Sequence, residues 1–274
     1  MLVGQKRESE CKSDGHNLKL LHFSYSAFTL AETLITLAII GVVAALTIPV
    51  IISAYQKSET VNGVKEVYSI LNQTIKNSEV DNGDILIWNF PGNTLLSYNT
   101  TFINSYILPY LKISKTCGSS SSQDCWIMPK APDGNLRLSD LLTYSDYNKY
   151  TLANGMSIAF RTEGILYTGG IIGRYVQVII DINGLKSPNT FGKDAFVFII
   201  VQKSANSCIP GTGNGYACIN VDKGGIYADG FGTSSTNTYE YKGCGKDVTY
   251  AYAGFQCANL LMINNWEMPT NYPW

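Results

Sequence analysis

A chain of 274 residues that is 45% hydrophobic and 15% charged has the material for a core and is excluded from wholesale disorder. Its formal net charge is -1 and it holds no long basic run, so the sequence requires no nucleic-acid contact.

The N-terminal stretch is polar and carries Lys6, Arg7, Lys12 and Lys19. Between Lys19 and Lys57 the only Asp, Glu, Lys or Arg is Glu32, within "AFTLAETLITLAIIGVVAALTIP" (27–49). Residues 33–52 form an uncharged run long enough to cross a bilayer as a helix. The basic residues ahead of it keep that end cytoplasmic by the positive-inside rule, which exports the C-terminal bulk. A secretory signal peptide has the same polarity but is cut after its apolar region, and "TIPVIISAYQKS" offers no A-x-A site.

The helical pattern continues beyond the apolar run. Val61, Val64, Val67 or Tyr68, Leu71 and Ile75 recur every three or four residues and form one apolar stripe on an otherwise polar helix. That spacing is read as intramolecular core. Asn82-Gly83 is a natural stop, which predicts a helix of about 54 residues, roughly 80 Å long. Gly41 and Pro49 are expected to soften or kink its first half.

Residues 84–150 read as irregular, with one short helix near 136–144. Strand-like runs follow at 156–162, 165–168, 174–182 and 195–202, closely spaced and therefore antiparallel. Residues 203–274, rich in Gly, Asn and Tyr, read as a disulfide-stapled loop region. The expected class is α+β, a long N-terminal helix packed on an antiparallel sheet.

Six of the seven cysteines, Cys117, Cys125, Cys208, Cys218, Cys244 and Cys257, follow the apolar run, and none forms a C-x-x-C. They read as disulfides of an exported region. Fifteen pairings are open, of which local pairing, Cys117 with Cys125, Cys208 with Cys218 and Cys244 with Cys257, is the simplest. Cys11 is the odd one. Both histidines, His16 and His22, precede the apolar run, so Ser-His and Cys-His nucleophiles and His-ligated metals are excluded beyond it. No catalytic residue is assigned, although carboxylate-only chemistry stays formally open. The glycine string at 211–215 lacks the Lys-Ser or Lys-Thr of a phosphate loop.

The stretch 27–49 resembles the processing and methylation motif of type IV pilins and type II secretion pseudopilins. In that family a prepilin peptidase cuts ahead of the apolar run, usually after glycine and before a mature Phe or Met. Glutamate is fifth in the mature chain and proline is often twenty-second. Here Ala27 ends the leader, Phe28 starts the mature chain, Glu32 falls fifth and Pro49 twenty-second; Ala27 in place of glycine is the departure. The resemblance covers about residues 24–80. It implies a leader at 1–27, a helix at 28–82 and an extracytoplasmic head at 83–274. Within the helix, 28–52 is transmembrane and later filament core, and 53–82 is amphipathic. It further implies methylation at Phe28 and a single-pass protein of the bacterial inner membrane that joins a pilus or pseudopilus. Its partners are then the peptidase, like subunits and an inner-membrane assembly platform. The alternative is a membrane-anchored binding or adhesive module that does not polymerise.

Two sites follow. Cleavage leaves a charged amino group on Phe28, and Glu32 stands at the i, i+4 spacing that shares its helical face. In the family the glutamate's proposed partner is the terminal amine of a neighbouring subunit. The second site is "DINGLKSPNTFGKD" (181–194), where Asp181, Asn183, Asn189 and Asp194 supply the oxygen chemistry of calcium, the one candidate cofactor. The plainer reading is a hairpin connection whose Asp and Asn side chains accept from backbone donors.

Overall fold

The computed structural model describes residues 6–8, 21–23, 29–91, 96–119, 126–127, 129–135, 147–167, 170–202, 208–210, 216–218, 224–229, 243–248 and 252–274. Ala27, Phe28, Cys125 and the expected short helix at 136–144 lie outside them. Contacts divide the chain into Met1–Tyr55 and Gln56–Trp274.

In the first unit, β1 (Lys6–Glu8) pairs antiparallel with β2 (Leu21–Phe23), and the apolar part of α1 follows. Helix α1 runs over Leu30–Asn82 and is assigned without a break through Gly41 and Pro49. It stops where Asn82-Gly83 predicts: Gly83 takes φ 77°, the left-handed conformation that ends helices and favours glycine.

The second unit is built on a six-stranded antiparallel sheet. Its strands are β3 (Ile113–Gly118), β4 (Asn148–Leu152), β5 (Ser157–Tyr167), β6 (Gly170–Asp181), β7 (Ala195–Val201) and β10 (Gly225–Ala228). They lie in the order β10-β7-β6-β5-β4-β3. A separate ladder joins β8 (Cys208–Pro210) to β9 (Tyr216–Cys218). Helix α2 spans Leu96–Tyr106 and α3 spans Cys257–Ile263.

Strand alternation sorts the sheet's residues into two cores. Ile158, Phe160, Val176, Val178, Ile180, Phe196, Phe198 and Ile200 share one cluster with Val64, Val67, Leu71 and Ile75 of α1. The α1 stripe is therefore intramolecular core. Ala159, Ile179, Ala195 and Val197 face the other way, with Trp126, Tyr147, Phe191 and Phe255. Burial on both faces is why β7 reads as an unbroken apolar run, every residue of it buried.

Three expectations are corrected. Residues 84–150 are not simply irregular, because α2, β3 and β4 form there. The two runs at 156–162 and 165–168 are not separate strands: β5 continues through Glu163 and Gly164 in unbroken register with Tyr175 and Arg174, and its register shift comes later, between Ile165 and Leu166. The C-terminal region is more than stapled loop, since β10 pairs with β7 and α3 packs in the main core.

Cys244 and Cys257 form a disulfide across 13 residues. Cys117 is also disulfide-bonded. The backbones of Cys208 and Cys218 are direct cross-strand partners.

Candidate functional site

The first residues of α1 form a closed hydrogen-bond unit. The Thr29 backbone N–H and its hydroxyl each donate to Glu32 Oε2 at 2.9 Å, and the Glu32 N–H donates to Thr29 Oγ1 at 3.2 Å. This is the reciprocal capping box of a Thr three residues before a Glu, and it satisfies two otherwise orphaned N–H groups. The local signal for it is the Thr and Glu three residues apart in "TLAE", whereas the i, i+4 spacing pairs Glu32 with Phe28. Thr29 is thus a site residue that the reading by family resemblance missed.

Beyond the cap the helix is apolar all round and bare. Leu34, Ile35, Leu37, Ile39, Ile40, Val42, Val43 and Leu46 are all exposed, Leu46 at 71%. Its hydroxyls are turned inward on the backbone: Thr33 donates to the Leu30 carbonyl, Thr36 to that of Thr33 and Thr47 to that of Val43, each at 2.9 Å. A segment with every polar group satisfied locally and only hydrocarbon outside suits a bilayer or a packed bundle of its own kind. It is the one described helix long and apolar enough to cross a membrane. Pro49 lies within that helix.

The connection between β6 and β7 gathers all four residues proposed for calcium, in unequal roles. Asp194 accepts most: Oδ1 accepts from the Thr190 N–H, while Oδ2 accepts from the Asn189 N–H at 2.6 Å and from Asn183 Nδ2 at 3.2 Å. The Asn183 N–H donates to Asp181 Oδ1 at 3.1 Å. That much matches a hairpin whose side chains accept from backbone donors. Left over are Asp181 Oδ2, Asn183 Oδ1 and Asn189 Oδ1, all buried and without a hydrogen-bond partner. Ser157 Oγ is in the same condition, and Ser157 is the direct cross-strand partner of Asp181.

Each buried polar group left unpaired costs about 1–3 kcal/mol, so a group of them in one loop is not a neutral feature. Electrostatics point the same way. Burial, and then the neighbouring Asp194 charge, push the Asp181 carboxyl up to about 8. Burial also raises Asp194, against the lowering effect of its N–H donors. Two buried carboxyls are thus held together, Asp181 1% and Asp194 3% exposed. Among the described residues no three His, Cys, Asp or Glu side chains cluster as a metal site; the oxygens here come from two carboxylates, two amides and a hydroxyl.

The loop is also a junction. Thr60 Oγ1 of α1 donates to the Lys193 carbonyl at 2.9 Å, and a Cβ placed on Gly63 would lie 2.9 Å from Ile182 Cδ1. The Tyr272 hydroxyl donates to the Gly192 carbonyl at 2.6 Å, and Lys193 Nζ stands 5.9 Å from the centroid of Trp274. On the far side the Lys130 N–H donates to the Asn189 carbonyl at 2.7 Å.

Residues 50–274 match the model of a family described as "Family of unknown function (DUF6613)". No curated protein and no solved structure matches the chain.

Proposed function

We propose that this chain, which belongs to the family of unknown function DUF6613, is a structural subunit of a type IV pilus-like or type II secretion pseudopilus-like filament. The observation that carries the reading is the first half of α1, apolar on every side, exposed along nearly its whole length and interrupted by one carboxylate at its start. Prepilin peptidase cuts between Ala27 and Phe28, and Phe28 is methylated. The subunit then waits in the bacterial inner membrane with its head outside the cytoplasm. An unpaired charge at membrane depth costs about 2.5–3.5 kcal/mol on insertion scales. Glu32 therefore gains by meeting the amino group of a neighbouring Phe28, which sets the register of successive helices. Helices leaving lipid bury their apolar faces against one another, and a head-to-tail contact that does not close extends into a filament. The role is structural rather than enzymatic, and the assembly platform of the inner membrane is the machine it serves.

The Thr29 capping box favours a second reading, because it gives Glu32 partners within its own chain. On that reading the protein is an anchored binding or adhesive module that stays monomeric. Glu32→Gln separates the two, since glutamine at this position keeps the capping box and deletes the charge. The filament reading expects loss of incorporation with the helix intact; unchanged surface activity of a monomer favours the anchored module. The primary test is the intact mass and N-terminal sequence of the protein from native membranes or a sheared surface fraction. A chain starting at methylated Phe28 supports the filament subunit, and one starting at Met1 overturns it.

A further inference from the structure

We infer that the pocket between α1 and the β3–β4 side of the sheet binds a zwitterionic ligand of amino-acid or dipeptide size, with Glu66 receiving its ammonium and Lys112 its carboxylate. The site lies wholly within Gln56–Trp274 and does not depend on filament assembly.

The pocket holds about 300 Å³, at the lower end of the range for small-molecule sites. Glu66, Ile70, Gln73 and Asn77 line one side, at the i, i+4, i+7 and i+11 spacing that puts them on one face of α1. Residues 110–112, just ahead of β3, and 153–154, between β4 and β5, line the other. The Ala153 N–H donates to the Lys112 carbonyl at 2.8 Å and joins those two segments into one wall. Two hydrogen bonds tie that wall to α1. Asn154 Nδ2 donates to Glu66 Oε1 at 2.8 Å, and the Tyr110 hydroxyl donates to Asp81 Oδ2 at 3.0 Å. One bond falls at the first lining residue of the helix and the other beyond the last, so the fold sets the width of the pocket before a ligand arrives, which lowers the ordering cost of binding.

Charge complementarity selects the ligand. Glu66 and Lys112 bring opposite charges into one pocket without pairing: among the described residues neither makes an ion pair, and Glu66 spends Oε1 on Asn154 while Oε2 stays unmet. Beside them are amide atoms without partners. Gln73 gives Nε2 to Ser69 and keeps Oε1, and the Asn77 side chain makes no hydrogen bond. Beneath lie Leu111 and Leu152, 8% and 4% exposed. A ligand with a single charge meets one attractive and one repulsive group here, and a neutral polar ligand leaves both charges without a counter-charge. A short chain that carries both an ammonium and a carboxylate satisfies the two together. Its own polar groups meet the amides of Gln73 and Asn77, and an apolar side chain meets the leucines. Because Glu66 and Lys112 are exposed, solvent weakens their attraction, and a ligand this small is expected to bind with a Kd of about 0.1–1 mM.

The test is calorimetric titration of the full chain, in a non-ionic detergent at low salt, with leucine and the dipeptide Gly-Leu. The controls are N-acetyl-Gly-Leu, which lacks the ammonium, Gly-Leu amide, which lacks the carboxylate, and N-acetylglucosamine, which is neutral. The zwitterions are expected to bind, each capped peptide about 10-fold more weakly, and added salt to weaken binding. Glu66→Gln keeps an oxygen for Asn154 and deletes the charge; it is expected to weaken Gly-Leu about 10-fold and to erase the preference over N-acetyl-Gly-Leu alone. Lys112→Met keeps the apolar stem and is expected to erase the preference over Gly-Leu amide alone. That crossed pattern is a readout which general loosening of the fold does not produce, and both positions are exposed, so the unfolding temperature should stay at the parent value. No heat from leucine or Gly-Leu up to about 20 mM overturns the proposal. Equal binding of the capped peptides or of N-acetylglucosamine overturns the zwitterion assignment, and parent affinity in both variants overturns the placement of the site.

Discussion

The two halves of α1 share one backbone and differ in what covers them. Residues 30–52 are apolar on all sides and exposed; residues 60–78 are mostly polar, yet Val64, Val67, Leu71 and Ile75 are buried on the sheet. The lesson is that the amount of hydrophobicity and its periodicity carry separate messages. A stripe at helical spacing needs one partner surface, and this chain supplies it in β6 and β7. Apolar residues all round need a surrounding solvent of the same kind, either lipid or many other helices.

The largest expected effect that sharpens this contrast comes from truncating one leucine in each half. Leu71→Ala removes a side chain 1% exposed and is expected to destabilise the head by about 2–5 kcal/mol. Leu37→Ala, at a position 65% exposed, leaves head unfolding within about 0.5 kcal/mol of the parent. Chemical denaturation in detergent, followed by tryptophan fluorescence, reads both. Equal losses would break the comparison.

The glycines give a smaller effect of opposite signs. A Cβ on Gly63 meets Ile182 at 2.9 Å, so Gly63→Ala is expected to cost about 1 kcal/mol or more of head stability as Ile182 yields. A Cβ on Gly41 meets nothing within 4 Å, so Gly41→Ala favours the helix by up to about 1 kcal/mol. Thermal unfolding checks the first, and helical content by circular dichroism checks the second. Smallest is Thr29→Ala, which removes the cap and costs the first turn about 1 kcal/mol. Faster amide exchange at residues 30–33, with the head unmoved, is the expected signature.

Much of this was legible in the residues themselves. The stripe, the glycine stop at 83 and the positions of β6 and β7 follow from spacing and turn chemistry. Helix α2 was not legible, because "LSYNTTFINSY" is poor in strong helix formers and reads as loop. Strand β4 was hidden for a related reason: Asn148 and Lys149 are polar but buried, Asn148 bonded to Thr100 and the Lys149 ammonium reaching the Ser119 carbonyl. Polarity predicts exposure until a tertiary partner cancels its cost.

The candidate sites divide along the same line. Glu32 and its cap are local, three residues apart, so sequence alone placed the carboxylate at the start of an apolar helix. The four oxygen-bearing residues of the loop were also legible as a set. Only the fold decided that Asp194 spends its carboxylate on Asn183, Asn189 and Thr190, while Asp181, Asn183 and Asn189 keep oxygens unmet. Hydrogen bonding is settled by where donors arrive in space. Here they arrive across the closure of β6 on β7, while the approach of α1 and the C-terminal residues completes the loop's surroundings. Periodicity and capping act within a turn or two of chain and are written in the sequence; burial and the pairing of distant polar atoms exist only once the chain has closed.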